Sequence, residues 1–192
     1  MGKIVISENI SLDGVVQSGE DDLARGDWFT CIGDRDREEW AKLEFEEAMG
    51  AEALLLGRRS YEWFLARGWA SRTGEWAERL RSLPKYVVTS SALDGPGWNN
   101  ATAIMGDVVT EVSTLRRQVD GEIVVYGSGR LARALLEHDL VDELRLMTYP
   151  VVAGAGDRLF GKTSGMKPMR LAGTRVVGLG LVSLVYRPVR NA

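Results

Sequence analysis

The chain has 192 residues, 45% hydrophobic and 27% charged, with 24 Lys and Arg against 27 Asp and Glu for a net charge of −3. This is the make-up of a soluble globular protein with a core of its own, expected as a single domain over residues 1–192. It has no basic tract suited to nucleic acid or an anionic membrane, no bilayer-length apolar run and no signal-peptide pattern at Met1 to Asn9, so a cytoplasmic location is expected. One Cys, Cys31, and one His, His138, exclude an internal disulfide and a Cys/His zinc site, and no metal is expected. A triad hydrolase would have to run through His138, which sits in the last turn of a predicted helix, where the helix dipole accounts for it.

Lys3 to Ile10 reads as a first strand running into the turn Ser11-Leu12-Asp13-Gly14, where Gly14 supplies a positive φ. Residues 17 to 36 are polar and irregular apart from Trp28 and Phe29, two aromatics that read either as a flap over a pocket or as a seal on the core edge. Glu38 to Met49 is a helix rich in helix formers, and Ala53 to Leu56 is a second strand. Gly57-Arg58-Arg59-Ser60 then opens a helix carrying Tyr61, Phe64 and Leu65. Glu75 to Leu83 is a short helix halted by Pro84, and Lys85 to Val88 is a third strand ending in Thr89-Ser90-Ser91.

Ala101 to Met105 is a fourth strand, and Asp107 caps a helix through Val108, Val112 and Leu115. Ile123 to Tyr126 is a fifth strand, followed at once by Gly127-Ser128-Gly129-Arg130 and a helix with Leu131, Ala132, Leu135 and Leu136 at helical spacing. Glycines at that turn let backbone N–H groups approach a phosphate at the positive end of the helix, although an ordinary βα connection reads the same way. Glu143 to Tyr149 is a sixth strand stopped by Pro150, and Met169 to Val176 with Leu181 to Arg187 forms a closing antiparallel pair.

Alternation of strand and helix with a final hairpin gives an α/β sheet, mostly parallel, with an antiparallel C-terminal edge. Ligands of such sheets sit beyond the C-terminal ends of the strands. Three of those ends carry phosphate-friendly chemistry: Gly57-Arg58-Arg59-Ser60, Thr89-Ser90-Ser91 and Gly127-Ser128-Gly129-Arg130. Together they point to a dinucleotide, and the arginines and hydroxyls favour a 2′-phosphate, hence NADPH. Two charge-assisted bonds at roughly 1.5–3 kcal/mol each would select it over NADH by about two orders of magnitude. Gly156 to Thr163 matches the phosphate-loop pattern G-x-x-x-x-G-K-T, but Ser164, Gly165 and Pro168 follow without helical periodicity, so a phosphate-loop NTPase is the least favoured reading.

The ordered set of segments resembles the dihydrofolate reductase-like superfamily, in the branch of the reductase domain of the bacterial bifunctional riboflavin-biosynthesis deaminase-reductase. The segments are Ser11 to Gly14, Leu56 to Tyr61, Lys85 to Ser90, Tyr126 to Leu131, Leu140 to Leu144, Pro150 to Val152 and Gly156 to Phe160. The resemblance implies a three-layer α/β/α fold about an eight-stranded sheet, NADPH as hydride donor and a small heterocyclic or carbonyl/imine substrate. The family's uracil-derived substrate, 5-amino-6-(5-phosphoribosylamino)uracil, is one such compound. It further implies cofactor roles for Ser11, Leu12, Gly14, Gly57, Arg58, Arg59, Ser60, Thr89, Ser90, Ser91, Gly127, Ser128, Gly129, Arg130 and Leu131. Trp28, Phe29 and Phe45 fall to the substrate pocket.

Asp13 is the candidate proton donor, with stabilisation of its own turn as the alternative. Two departures stand out. Alignment on Gly57 puts Ala41 where folate reductases carry an acid, and Tyr126-Gly127-Ser128 replaces the Glu-Gly-Gly usual in the riboflavin branch. The expected partners are a small-molecule substrate and, by resemblance, a second copy in a homodimer, with no nucleic acid and no membrane. A non-catalytic NADPH-binding sensor or carrier is the alternative function.

Overall fold

The computed structural model describes residues 1–16, 27–93, 97–161 and 163–190. Its elements are β1 (Lys3–Ile10), α1 (Asp34–Gly50), β2 (Ala51–Gly57), α2 (Arg58–Ala66), α3 (Glu75–Ser82), β3 (Lys85–Val88), β4 (Ala101–Ile104), α4 (Val108–Gln118), β5 (Glu122–Tyr126), α5 (Gly129–Glu137), β6 (Glu143–Thr148), β7 (Met169–Val177) and β8 (Leu181–Pro188). A 3-10 turn at Trp28–Cys31 precedes α1. The strands form one sheet in the order β4-β3-β2-β5-β1-β6-β8-β7. The first six in that order run parallel, and β8 and β7 are antiparallel, as the sequence leads one to expect.

Period-two alternation divides the core between the two faces. Ile4, Ile6, Ile123, Val125, Leu144 and Leu146 meet the apolar stripes of α4 and α5. Val5, Val124, Leu54 and Leu56 meet α1, α2 and α3 on the other. Each leucine fully buried in this way contributes roughly 1.5–3 kcal/mol. Beyond the end of β6, Trp28, Ile32, Tyr149, Val177 and Leu181 form a third cluster. No helix among the described residues is long and apolar enough to cross a membrane.

Two polar anchors hold this frame. The buried Asp36 carboxylate accepts N–H groups of Leu179 and Gly180 in the β7–β8 turn and, at 3.0 Å, of Gly33 at the start of its own helix. Gly178 has a φ of +66° and its α-carbon faces Asp36, so a side chain there would overlap it. That cap also explains why α1 begins at Asp34 rather than at Glu38: two acidic residues in the first turn and the Asp36 carboxylate on the Gly33 N–H favour helix where polarity alone reads as loop. Lys85 is wholly buried, donating to the carbonyls of Arg81, Leu83 and Asn99 at 2.8–3.0 Å over the Trp98 ring.

Candidate active site

The C-terminal edge of the parallel strands brings the three predicted loops together, and the serines do the joining. Gly127 and Ser128 are both left-handed, with φ of 57° and 64°. This reversal lets the Ser128 N–H donate to Ser60 Oγ and Ser128 Oγ accept the Gly57 N–H, each at 2.9 Å. The ends of β2 and β5 are therefore clasped. No side chain caps α5, which leaves the N–H groups of its first turn facing the edge. Arg58 reaches across to the end of β3, donating to Ala92 O at 2.8 Å, Ser91 Oγ at 3.2 Å and Thr89 Oγ1 at 3.3 Å, and pairs with Glu62. Arg58, Val88, Thr89, Ser90, Ser91 and Gly106 line a groove of about 540 Å³. Arg59 and Arg130 are exposed at the same edge, with no hydrogen bond or ion pair among the described residues. Gly129 begins α5, but the Leu131 side chain departs from the predicted set: it is buried in the apolar core with Leu135.

At the end of β1, Gly14 adopts its expected positive φ of 79°. Leu12 is exposed, while Ser11 is buried and accepts the Val15 N–H. Asp13 accepts the Ser11 hydroxyl at 2.6 Å and the N–H groups of Ala153 and Gly154 at 2.9 and 3.0 Å. The Ser11 hydroxyl first, then these amides, hold its carboxyl down to about 2. A carboxylate so held has no proton to give near neutrality, and the structure corrects its assignment as acid in favour of the turn-stabilising alternative. Trp28 is likewise buried, its ring 5.6 Å from that of Tyr149, and Phe29 lies edge-on to Trp40 at 4.8 Å. Both aromatics seal the core beside α1; the remainder of the expected flap, residues 17–26, lies outside the described residues. In the phosphate-loop look-alike, Leu159 is fully buried and Arg158 bridges Val15, so no helix opens there; Lys162 lies outside the described residues.

On the α1 face a second cavity, also about 540 Å³, runs between α1 and strands β1, β6 and β8. Glu44 and Glu47 reach into it from α1 and Ser7 from β1, while Phe45 is not among its lining residues. Ser7 pairs in register with Tyr126, one residue before the left-handed turn at Gly127. Glu47 pairs with Arg145 at 3.0 Å, and Arg145 also binds Glu122 and Glu143. Burial, then the Glu47 carboxylate, push the Glu44 carboxyl well above the usual carboxylate range against the pull of Arg145. That carboxyl is enclosed although the residue as a whole is only half-buried. The Tyr149 hydroxyl is buried without a hydrogen-bond partner, and the Tyr126 hydroxyl is buried facing the Glu47 carboxylate. Burial and the charges of Glu47 and Glu44 raise the Tyr126 hydroxyl, and burial and Glu44 raise that of Tyr149, so both phenols remain protonated.

The family model of the RibD C-terminal domain matches residues 2–183. The chain belongs to the RibD C-terminal domain family. Among curated relatives it is 28% identical over 191 residues to YyaP of Bacillus subtilis, covering 96% of this chain and 94% of that protein. A putative riboflavin biosynthesis protein from Shewanella sp. PV-4 superposes with a TM-score of 0.78 at 19% identity, covering 98% and 99% of the two chains. Dihydrofolate reductase from Enterococcus faecalis, complexed with NADP(H), gives 0.55 at 15% identity over 97% and 96%. The fold is dihydrofolate reductase-like, as the resemblance implies.

Within this RibD-type frame the three loops at the sheet's C-terminal edge were legible and the α1 face was not. Glu44 and Glu47 stand three apart, hence on one side of a helix, and that side faces the sheet. The available signal was two carboxylates on the face that also carries Leu43 and Trp40, where charge is costly to bury. Register with the folate reductases points to Ala41 instead.

Proposed function

We propose that this protein is an NADPH-dependent reductase that transfers a hydride to a small heterocyclic or carbonyl/imine substrate. The observation that carries the reading is the convergence of three loops on one sheet edge, with cationic and hydroxyl groups around a groove. Its chemistry fits the cofactor: Arg58 with Thr89 and Ser91 would meet the 2′-phosphate, and Arg59 and Arg130 would add charge on either side of it. The uncapped first turn of α5, opened by Gly127 and Ser128, would take the pyrophosphate. Bound there, NADPH supplies the hydride, and the protein supplies position and electrostatics. Family membership supports a reductase-like role, and the NADP(H) of the E. faecalis relative supports the choice of donor.

A titration with NADPH and NADH in parallel, followed by tryptophan fluorescence and thermal stability, tests this. Selective binding of NADPH, weakened at least tenfold in Arg59→Glu, is the expected result. Binding of neither nucleotide overturns the reading.

A further inference from the structure

The β2–β5 ladder closes at the rung Leu54–Val124, well short of Gly57 and Ser128. Beyond that rung two serines join the strand ends. The Gly57 N–H donates to Ser128 Oγ and the Ser128 N–H to Ser60 Oγ, each at 2.9 Å, and the Ser128 hydroxyl donates in turn to Tyr126 O at 3.0 Å. The fit is close on both sides: a β-carbon at Gly127 would lie 3.3 Å from Ser60 Oγ, and one at Gly57 would lie 3.7 Å from Ser128 Oγ. Ser128 holds this place against its own preferences. Its φ of 64° is left-handed, a region that disfavours a residue with a β-carbon and that glycine enters freely. Serine is also a preferred helix cap, yet the Ser128 hydroxyl is turned away from the first turn of α5 and toward the strands. A residue kept in a disfavoured conformation by the bonds around it is a pointer to function.

From this we infer that Ser60 and Ser128 are positioning residues of the cofactor edge, whose mutual clasp fixes the spacing between the Arg58 loop and the Gly129–Arg130 turn so that one dinucleotide engages both. The identity of that ligand rests on the reductase reading. In that reading Arg58, Thr89 and Ser91 take the 2′-phosphate and the first turn of α5 takes the pyrophosphate, so the ligand spans the junction that the serines close. A ligand held at two points gains from the second only as far as the two are already set at the right distance. Neither hydroxyl has to touch the cofactor for this. Ser128 Oγ is engaged by Gly57 and Tyr126, and Ser60 Oγ by the Ser128 amide. The clasp acts through loop geometry, which separates it from the contact role that the resemblance implies for both serines.

The test is a double-mutant cycle on the full chain, read as NADPH affinity by calorimetry. Adenosine 2′,5′-bisphosphate serves as a ligand confined to the Arg58 groove, and the thermal midpoint without ligand measures stability. Ser60→Ala and Ser128→Gly are each expected to weaken NADPH at least fivefold, and the double variant to lose no more than twofold beyond the weaker-binding single, because both act through one clasp. Affinity for adenosine 2′,5′-bisphosphate should stay within twofold throughout. Ser128→Gly relieves the left-handed strain as it removes the bonds, so its midpoint should stay level with the wild type's. Ser128→Ala keeps the strain and loses the bonds, so its midpoint should fall while it binds NADPH as weakly as Ser128→Gly. Losses that multiply in the double variant would make each serine a direct ligand and overturn the inference. Affinity that follows the midpoint, lost in Ser128→Ala and kept in Ser128→Gly, overturns it too, as do single variants that bind NADPH as tightly as the wild type. All three results leave the reductase reading standing, whereas a wild type that binds no NADPH overturns that reading and the inference together.

Discussion

The two faces of the sheet each bury a carboxyl that burial makes hard to ionise, and they do so to different ends. On the α5 face, Glu8 sits near the end of β1 among Ile6, Ile10 and Leu146, 5% exposed, with Oε1 unpartnered. Burial pushes its carboxyl up to about 8, with the Arg133 charge pulling it back. Glu8 lines neither of the two cavities described above, and the core on this face is built from α4, α5 and Leu159. On the α1 face, Glu44 is raised by the same desolvation but opens on a cavity. The two carboxyls differ in surroundings: Glu44 lines a cavity of about 540 Å³, and Glu8 lines neither described cavity. A buried polar group signals function when space adjoins it.

That contrast breaks in several ways, and the largest effect belongs to the filled face. Leu135→Ala, at a fully buried position of α5, should lose about 2–5 kcal/mol of unfolding free energy in denaturant titration, because the sealed core cannot collapse into the void. The next effect is one of pH. A carboxyl raised from 4.5 to about 8 in the folded state stabilises it while protonated, so its contribution is whole below pH 4.5 and is lost as pH rises through about 8. Unfolding free energy should fall by about 1.4 kcal/mol per pH unit in that window, and Glu8→Gln should flatten the slope. A slope that survives the substitution would place the titrating group elsewhere.

On the open face, Glu44→Gln should leave the thermal midpoint unchanged or higher, because it removes a desolvated acid next to Glu47, yet lower the rate of substrate reduction at least tenfold. A parallel fall of stability and rate would make Glu44 a core residue like Glu8. The smallest effect concerns Asp13. Because it is already ionised near pH 2, Asp13→Asn should leave the pH profile of turnover unshifted between pH 5 and 8. A displaced profile would return Asp13 to proton transfer.

How legible the site was from sequence depended on whether the chemistry was local. The Gly57-Arg58-Arg59-Ser60 and Gly127-Ser128-Gly129-Arg130 loops are contiguous, each glycine and hydroxyl next to the strand end that positions it, and their meeting follows from parallel strands with right-handed crossovers. The two readings of Asp13, acid or turn stabiliser, stayed open in sequence because the amides of Ala153 and Gly154 that hold it ionised come from 140 and 141 residues away. Trp28 and Phe29 read equally as flap or as core seal because their partners Tyr149 and Trp40 belong to other elements.

By itself the amino-acid sequence determined the elements, their order and the parallel sheet with its antiparallel edge, since hydrophobic periodicity, glycine turns and helix caps act within a few residues. It determined as well which loops would lie at the sheet's C-terminal edge. Tertiary structure alone decided that Ser128 spends its hydroxyl and amide clasping β2 to β5, and that Leu131 belongs to the core. It also decided which carboxyls are desolvated beside empty space. The physical reason is that desolvation and ion pairing depend on what surrounds a group in three dimensions: Glu8, Asp13 and Glu44 are ordinary acids in sequence, and only their neighbours set them apart.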